Sequence, residues 1–198
     1  MITLYHAPQS RSSTIVTLID ELGADVEIRE VTIPRRDGSG GRDPANPHPE
    51  GKVPLLVDGA ETIHEQGAII LYFTDRFPEA GLGPGPGAPG RGAYLSWLFY
   101  YQGVIEPVAH FHLMDISSPA LQATFRDFDA VLARLAAALQ GQPYLLGEHY
   151  SAADLLCSGL FQVLPQFLPD DGAIRDWVAR CAARPSLART RMRDGAAG

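Results

Sequence analysis

The first part of the chain alternates between strand-like and helix-like patterns of apolar residues. A first strand opens at Ile2 and breaks at Pro8. A helix should follow, with Ser12 and Ser13 as possible N-caps and Gly23 at its end. This beginning predicts a strand packed beside a helix.

The next part predicts further short elements and one long connection. A second strand is expected at residues 26–28, and a loop rich in proline and glycine runs from 34 to 50. Residues 53–57 form an apolar strand, which the turn signal Asp58-Gly59 joins to the chain leading into a helix at Glu65. The order β-α-β followed by β-β-α predicts a small mixed sheet with helices packed on it.

Everything after residue 92 has the periodicity of helices. One apolar stripe is spaced alternately four and three residues apart and comprises Leu121, Phe125, Phe128, Leu132, Leu135 and Leu139. The segment Tyr150 to Asp154 resembles a capping box with a hydrophobic staple at the start of another helix. A last helix is expected before Pro185, and its apolar residues are Ile174, Trp177, Val178 and Cys181.

A segment rich in glycine and proline separates the two halves. Neither a helix nor a central strand can run through it. The predicted organisation is therefore an α/β domain at residues 1–78, a linker at 79–92 and an all-helical bundle domain at 93–198.

Composition narrows the function. The 198 residues carry a formal net charge of −7, and the arginines are scattered, so nothing favours a nucleic-acid partner. Cys157 and Cys181 lie far apart without metal-ligand spacing, which predicts reduced core thiols and no metal site. The N-terminus lacks the pattern of a signal peptide and no apolar run is long enough for a membrane span. We therefore expect a cytoplasmic protein with no membrane partner.

One short stretch concentrates unusual chemistry. Lys52, the only lysine, precedes Val53 and Pro54, and Glu65 and Gln66 follow after the predicted hairpin. Proline is the residue that adopts a cis bond at tolerable cost, and such a turn would leave the backbone groups of Val53 outside the sheet ladder. An ammonium, a carboxylate and a helix start together suit a small zwitterionic peptide.

Three local motifs resemble the cytosolic glutathione S-transferase family. They are the turn Gly51 to Pro54, the stretch Glu65 to Ile69 with Gln66 where the family usually has serine, and the capping box Tyr150 to Asp154. The resemblance covers essentially the whole chain. It implies an N-terminal thioredoxin-like domain, a helical C-terminal domain, glutathione as co-substrate without a metal, a homodimer and a role in detoxification.

The resemblance also assigns the ends of glutathione to residues. Lys52 suits the glycine carboxylate, and Val53 with Pro54 the peptide backbone. Glu65 suits the γ-glutamyl ammonium, while the helix start at Gln66 offers N–H groups to the γ-glutamyl carboxylate. The alternatives are a solvated lysine, an ordinary trans-proline at a strand start and simple charge matching of Glu65 to the helix.

A hydroxyl must then activate the thiol of glutathione. A free thiol has a pKa of about 8.5, so lowering it by about two units requires roughly 2.7 kcal/mol. The segment after strand one contains no cysteine, which favours the serine-dependent theta- and delta-like branches over the cysteine-dependent ones. Ser10 is our first candidate, Ser12 the second and Tyr5 the third. Helix capping is the competing interpretation for Ser12.

An apolar electrophile is the co-substrate that the resemblance implies. Its pocket should lie between the domains and include Tyr94, Trp97 and Tyr101, although core packing or a dimer contact is the better explanation for any single one of these residues. The primary hypothesis is a transferase that conjugates the glutathione thiolate to this electrophile. The alternatives are a non-catalytic binding or regulatory protein of the same fold, and a glutathione-dependent peroxidase or disulfide reductase.

Overall fold

The computed structural model describes residues 1–195, which form two compact units. One unit comprises Met1–Ala80 together with the described residues from Arg184 onward, and the other is Gly81–Ala183. The boundaries predicted at residues 78 and 92 stay a prediction. The described segment from Arg184 onward, which the sequence assigned to the helical domain, belongs to the first unit.

The first unit is built on a mixed sheet of four strands, as predicted. Its strands are β1 (Ile2–His6), β2 (Glu27–Glu30), β3 (Leu55–Asp58) and β4 (Glu61–His64). Their order is β2-β1-β3-β4, in which β1 runs parallel to β2 and antiparallel to β3. Tyr5 pairs with Leu55 at the end of the β1–β3 ladder, so Val53 lies outside the paired register.

Three helices complete this unit: α1 (Ser12–Leu22), α2 (Gln66–Arg76) and α9 (Pro185–Arg193). Helix α1 contacts β1, α2 and α9. Gly23 ends α1 in the left-handed conformation with φ 61°, and its N–H bonds carbonyls of the last turn, as the sequence predicted. Helix α9 was not predicted.

The second unit is helical among its described residues. Its helices are α3 (Arg91–Tyr100), α4 (Glu106–Leu113), α5 (Pro119–Phe125), α6 (Phe128–Ala138), α7 (Ala152–Val163) and α8 (Gly172–Ala182). A π-helical turn, Tyr101–Ile105, joins α3 to α4. The capping box of α7 is present, with Ser151 and Asp154 bonding each other's backbone. The predicted buried face of α8 is also found, since Ile174 and Trp177 are fully buried.

The predicted single stripe from Leu121 to Leu139 is wrong in one respect. Two helices share it, because Arg126 adopts φ 65° and Asp127 starts a new helix by accepting a hydrogen bond from the N–H of Ala130. Periodicity continues across such a break, so it cannot reveal one. None of the helices within residues 1–195 is both long and apolar enough to cross a membrane.

Candidate functional site

The candidate site begins where β1 passes into α1. The helix starts at Ser12, but the hydroxyl of this serine does not cap it. Ser12 is fully buried, and its Oγ accepts the N–H of Ala7 at 3.1 Å. Ser10 is half-buried and accepts the N–H of Ser12 at 3.2 Å. Ser10 is therefore the outer of the two hydroxyls and Ser12 the inner one.

These hydroxyls belong to a chain of four side chains. Ser10 Oγ lies 2.7 Å from Ser12 Oγ, which lies 2.8 Å from Nδ1 of His6. Nε2 of the same imidazole lies 3.1 Å from Oδ1 of Asp194, just after α9. His6, Ser12 and Asp194 are buried, so Ser10 is the one of these four side chains that is partly exposed to solvent.

The environment keeps His6 neutral. Burial lowers the pKa of His6 below its ordinary value of 6.5, and the adjacent Asp194 carboxylate opposes this effect. Because Nε2 faces a carboxylate, it carries the hydrogen in the neutral ring, which leaves Nδ1 as an acceptor. The Ser12 hydroxyl has two acceptors in reach, Nδ1 of His6 at 2.8 Å and the carbonyl of Ala7 at 3.3 Å, and the shorter contact assigns its hydrogen to His6. Ser10 then donates to Ser12.

The loop that carries Ser10 is fixed from two sides. Asp194 Oδ2 accepts the N–H of Gln9 at 2.8 Å and the hydroxyl of Ser13 at 2.5 Å. Arg35 donates to the carbonyl of Pro8 at 2.7 Å and to that of Gln9 at 3.1 Å. Gln9 has φ 55°, an uncommon conformation for a residue with a Cβ, and these bonds hold it there.

The turn before β3 has the predicted local geometry. The Val53–Pro54 bond is cis, and the carbonyl of Lys52 accepts a hydrogen bond from Asn46 at 3.0 Å. The ammonium of Lys52 is exposed and forms an ion pair with Glu50. A ligand carboxylate at this position would therefore share Lys52 with an exposed acidic neighbour.

The start of α2 lies beside the start of α1. Gln66 is buried, and its side-chain amide donates to the carbonyl of Arg11 at 2.9 Å. This bond orients the amide, so that Oε1 faces away and has no partner among the described residues. Glu65 is exposed at φ 68° directly before the helix. The two helix N-termini, Ser10 and Glu65 are thus brought to one region.

Tyr5 faces away from this region. Consecutive strand residues point to opposite faces of a sheet, so Tyr5 and His6 lie on different sides. Tyr5 is buried in an apolar cluster with Val31 and Val53, and its hydroxyl accepts a long hydrogen bond of 3.3 Å from Arg29.

The three aromatic residues predicted for the co-substrate pocket lie in the helical unit. Tyr94 is fully buried, while Trp97 and Tyr101 are 7% exposed. The guanidinium of Arg134 lies 5.3 Å from the ring centroid of Trp97. Core packing accounts for this burial, and a role in binding a co-substrate stays a prediction.

The two cysteines lie in the helical unit as free, buried thiols. Burial raises the pKa of the Cys157 thiol well above its usual range, so it is not a thiolate nucleophile. No cluster of three or more metal-ligating side chains occurs among residues 1–195.

Sequence reasoning did not find His6 or Asp194 as members of the site. His6 occupies an inward-facing strand position that an apolar residue would also fill, and Asp194 lies 188 residues away. The one available signal was a histidine on the same strand face as the buried apolar residues Ile2 and Leu4.

Comparisons with known proteins agree with the fold and the motifs. The profile of the glutathione S-transferase N-terminal domain matches residues 4–82, and that of the glutathione S-transferase C-terminal domain matches residues 101–185. The chain therefore belongs to the glutathione S-transferase family, which confirms the resemblance seen in the sequence.

Individual relatives are distant but similar over their full length. The disulfide-bond oxidoreductase YfcG of Escherichia coli K12 is 26% identical, with 98% of this chain and 95% of YfcG covered. A glutathione transferase from Methylococcus capsulatus has a TM-score of 0.79 at 26% identity, covering 98% of this chain and 99% of its own. A sphingomonad glutathione S-transferase complexed with glutathione has a TM-score of 0.75 at 26% identity, covering 98% of this chain and 100% of its own.

Proposed function

We propose that this protein is a glutathione transferase that activates the thiol of glutathione with Ser10. The observation that carries the proposal is the convergence of the α1 and α2 N-termini, which the bond from Gln66 to the Arg11 carbonyl ties together. Helix N-termini favour anions through free N–H groups and the helix dipole. One start faces the ligand's carboxylate, and the other favours its thiolate.

The binding residues have complementary roles in this proposal. Glu65 pairs with the γ-glutamyl ammonium, and the backbone N–H at Gln66 binds the neighbouring carboxylate. Val53, positioned by Pro54, offers its backbone groups to the peptide. Lys52 binds the glycine carboxylate in competition with Glu50, so we expect its contribution to be small, as for other exposed pairs.

Among the candidate hydroxyls, Ser10 is the one we propose to contact the sulfur. The hydroxyl of Ser12 is enclosed and already bonded to His6 and Ala7. Tyr5 lies on the opposite sheet face beside Arg29. Of these three candidates, Ser10 alone combines partial exposure with a place at the start of α1.

Calorimetry with glutathione tests the binding site. Replacing Glu65 by glutamine removes a charge-assisted contact worth about 1.5–3 kcal/mol, so we expect the dissociation constant to rise roughly 10- to 100-fold. Glu61→Gln is the matched control, because Glu61 is an exposed carboxylate in the same hairpin. A wild-type protein that does not bind glutathione would refute the proposed function.

An activity assay with chlorodinitrobenzene, an apolar aryl halide, tests conjugation. We expect Ser10→Ala to lower kcat/KM by about 10- to 100-fold, since a hydroxyl bonded to a thiolate is a charge-assisted donor. Ser96→Ala is the control, because the Ser96 hydroxyl is exposed and donates within its own helix to the carbonyl of Gly92. Normal glutathione binding without any rate above background would favour the non-catalytic alternative.

Glutathione-dependent disulfide reduction is a second candidate function. The similarity to YfcG, a disulfide-bond oxidoreductase, favours this candidate. Because both cysteines of this protein are buried, two glutathione molecules would supply the two thiols that the reaction needs. One thiolate would attack a mixed disulfide, releasing the substrate thiolate and forming glutathione disulfide. Comparing turnover of hydroxyethyl disulfide with turnover of chlorodinitrobenzene separates the two activities.

Two further parts of the proposal have their own tests. The family implies a homodimer, which light scattering would contradict by giving the mass of one chain. A role of Tyr94, Trp97 and Tyr101 in binding the electrophile predicts that substituting them changes KM for the electrophile more than KM for glutathione.

A further inference from the structure

The chain Asp194–His6–Ser12–Ser10 has the parts of a proton relay. It contains a carboxylate, an imidazole whose far nitrogen is an acceptor, and two hydroxyls in series. All three separations lie between 2.7 and 3.1 Å, within hydrogen-bonding distance. A carboxylate that holds an imidazole in one tautomer while a hydroxyl donates to the other nitrogen is the arrangement used to generate nucleophiles in hydrolases.

We propose that His6 accepts the proton of the glutathione thiol through Ser10 and Ser12, and that Asp194 stabilises the imidazolium so formed. This inference rests on the proposed function, because it requires the sulfur to lie beside Ser10. It goes further by naming where the proton goes. His6 and Asp194 act through the serines and do not touch the substrate.

The donors and acceptors along the relay allow a proton to move in one direction, from Ser10 through Ser12 to His6. With neutral His6, the Ser12 hydroxyl donates to Nδ1, and the Ser12 oxygen accepts from Ala7 N–H and from the Ser10 hydroxyl. The Ser10 oxygen accepts the Ser12 N–H and keeps one lone pair. That lone pair can accept the S–H of a bound thiol.

The transfer moves three protons by one position each. The thiol proton passes to Ser10, the former Ser10 proton to Ser12, and the former Ser12 proton to Nδ1 of His6. One S–H bond is lost and one N–H bond is gained, and no electrons change hands. Afterwards the Ser10 hydroxyl donates to the thiolate, so the step that removes the proton also creates the stabilising donor.

The charges around His6 suit this role. Burial has the largest effect and lowers the pKa of His6, and Arg193 at the end of α9 acts in the same direction. Asp194 is the strongest group that favours the imidazolium, and Glu30 on β2 adds a smaller effect. The imidazole is therefore a neutral acceptor in the resting protein, with a carboxylate in place to stabilise the proton once it arrives.

The decisive readout is the number of protons released to solvent per thiolate formed. Thiolate is measured by its ultraviolet absorbance, and proton release by calorimetry of glutathione binding in buffers of different ionisation enthalpy. If His6 keeps the proton, the negative charge of the thiolate at the other end of the relay must raise the pKa of His6 above the pH of the measurement. The wild type then releases well below one proton per thiolate near neutral pH. A merely structural role for His6 would leave this number at about one.

Two variants probe the relay, and one provides the control. In Asp194→Asn the side-chain NH2 group would donate to Nε2 of His6, so the hydrogen of the neutral ring moves to Nδ1, which can then no longer accept a proton from Ser12. We expect the thiolate fraction to fall about tenfold or more at neutral pH. Ser12→Ala breaks the relay in the middle, so proton release should rise to about one per thiolate. Asp20→Asn is the control, because Asp20 bonds Arg189 at the same α1–α9 contact but outside the relay.

The outcomes separate this proposal from the proposed function. A wild type that binds no glutathione would overturn both. A wild type that binds glutathione as thiolate but releases one full proton would overturn the relay alone, as would a folded Asp194→Asn variant with the wild-type thiolate fraction. If Asp194→Asn does not fold, the proton count of Ser12→Ala decides, and an unchanged count would overturn the relay.

Discussion

Removing the buried carboxylate of Asp154 should strongly destabilise the helical unit. Asp154 is fully buried, and its Oδ1 accepts the N–H of Leu145 at 2.8 Å and the indole N–H of Trp177 at 3.0 Å. Its Oδ2 accepts the N–H of Ser151 at 2.9 Å and the hydroxyl of Ser151 at 2.8 Å. One side chain thus joins the start of α7 to α8 and to the preceding loop.

The expected magnitude follows from these four bonds. At about 1 kcal/mol for each buried hydrogen bond, Asp154→Ala loses about 4 kcal/mol and leaves four donors unpaired. The wild type, however, bears the cost of burying a charge, since burial raises the pKa of Asp154 above its ordinary value of 3.8. We therefore expect a net loss of about 3 kcal/mol for alanine.

Asparagine at residue 154 should cost less than alanine. Its oxygen can replace Oδ1 toward Leu145 and Trp177, while its amide faces Ser151, whose hydroxyl can turn to accept. One N–H then loses its acceptor, which predicts a loss of about 1–2 kcal/mol. Because burial raises the folded pKa of Asp154 above 3.8, ionisation of Asp154 lowers the stability of the wild type as pH rises from about 3.8 through the folded pKa. The stability loss of the asparagine variant relative to the wild type should therefore be smallest above that folded pKa.

Urea unfolding followed by far-ultraviolet circular dichroism and tryptophan fluorescence measures these losses. Asp170→Asn is the control, because the Asp170 side chain is fully exposed and should change stability by less than about 0.5 kcal/mol. An alanine variant at residue 154 within about 1 kcal/mol of the wild type, with an unchanged denaturant slope, would refute the reasoning.

Three other perturbations have clear expected outcomes. Glu21→Gln should lower the free energy of unfolding in urea by about 1–2 kcal/mol. The Glu21 side chain is only 4% exposed and accepts hydrogen bonds from Arg184 and Ser186 of the segment carrying α9, whereas glutamine offers only one acceptor oxygen. Burial lowers the folded pKa of His6 from 6.5, so neutral His6 contributes its full stabilisation above about pH 6.5 and this contribution is lost as pH falls through the folded pKa. In urea unfolding, the difference in stability between pH 7 and pH 5 should therefore be smaller for His6→Gln than for the wild type. Tyr5→Phe should leave kcat/KM within about twofold, and a large loss would show that the wrong hydroxyl was chosen.

Most of the fold followed from local sequence signals. The Asp58-Gly59 turn, the glycine that ends α1 and the capping box at Ser151 each act over a few residues, and each was found in the structure. Helix α9 escaped prediction because its buried face is polar. Ser186 and Thr190 are buried there while Met192 is 79% exposed, the reverse of an amphipathic pattern.

The same distinction between local and distant contacts divides the site. The motifs proposed to bind glutathione, at Val53 and Glu65, are local, so the sequence alone suggests the proposed ligand. The proposed chemistry at Ser10 also involves Asp194, which lies far away in the sequence. Asp194 reaches the start of α1 through polar contacts between α1 and α9, including one of 2.9 Å between Thr17 and Thr190. Ser12 illustrates the consequence: in the sequence it has the features of a helix cap, whereas in the fold it is the buried link between the exposed hydroxyl and a histidine. If the relay operates, any change that loosens α9 should alter the protonation of bound glutathione before it alters the affinity for glutathione.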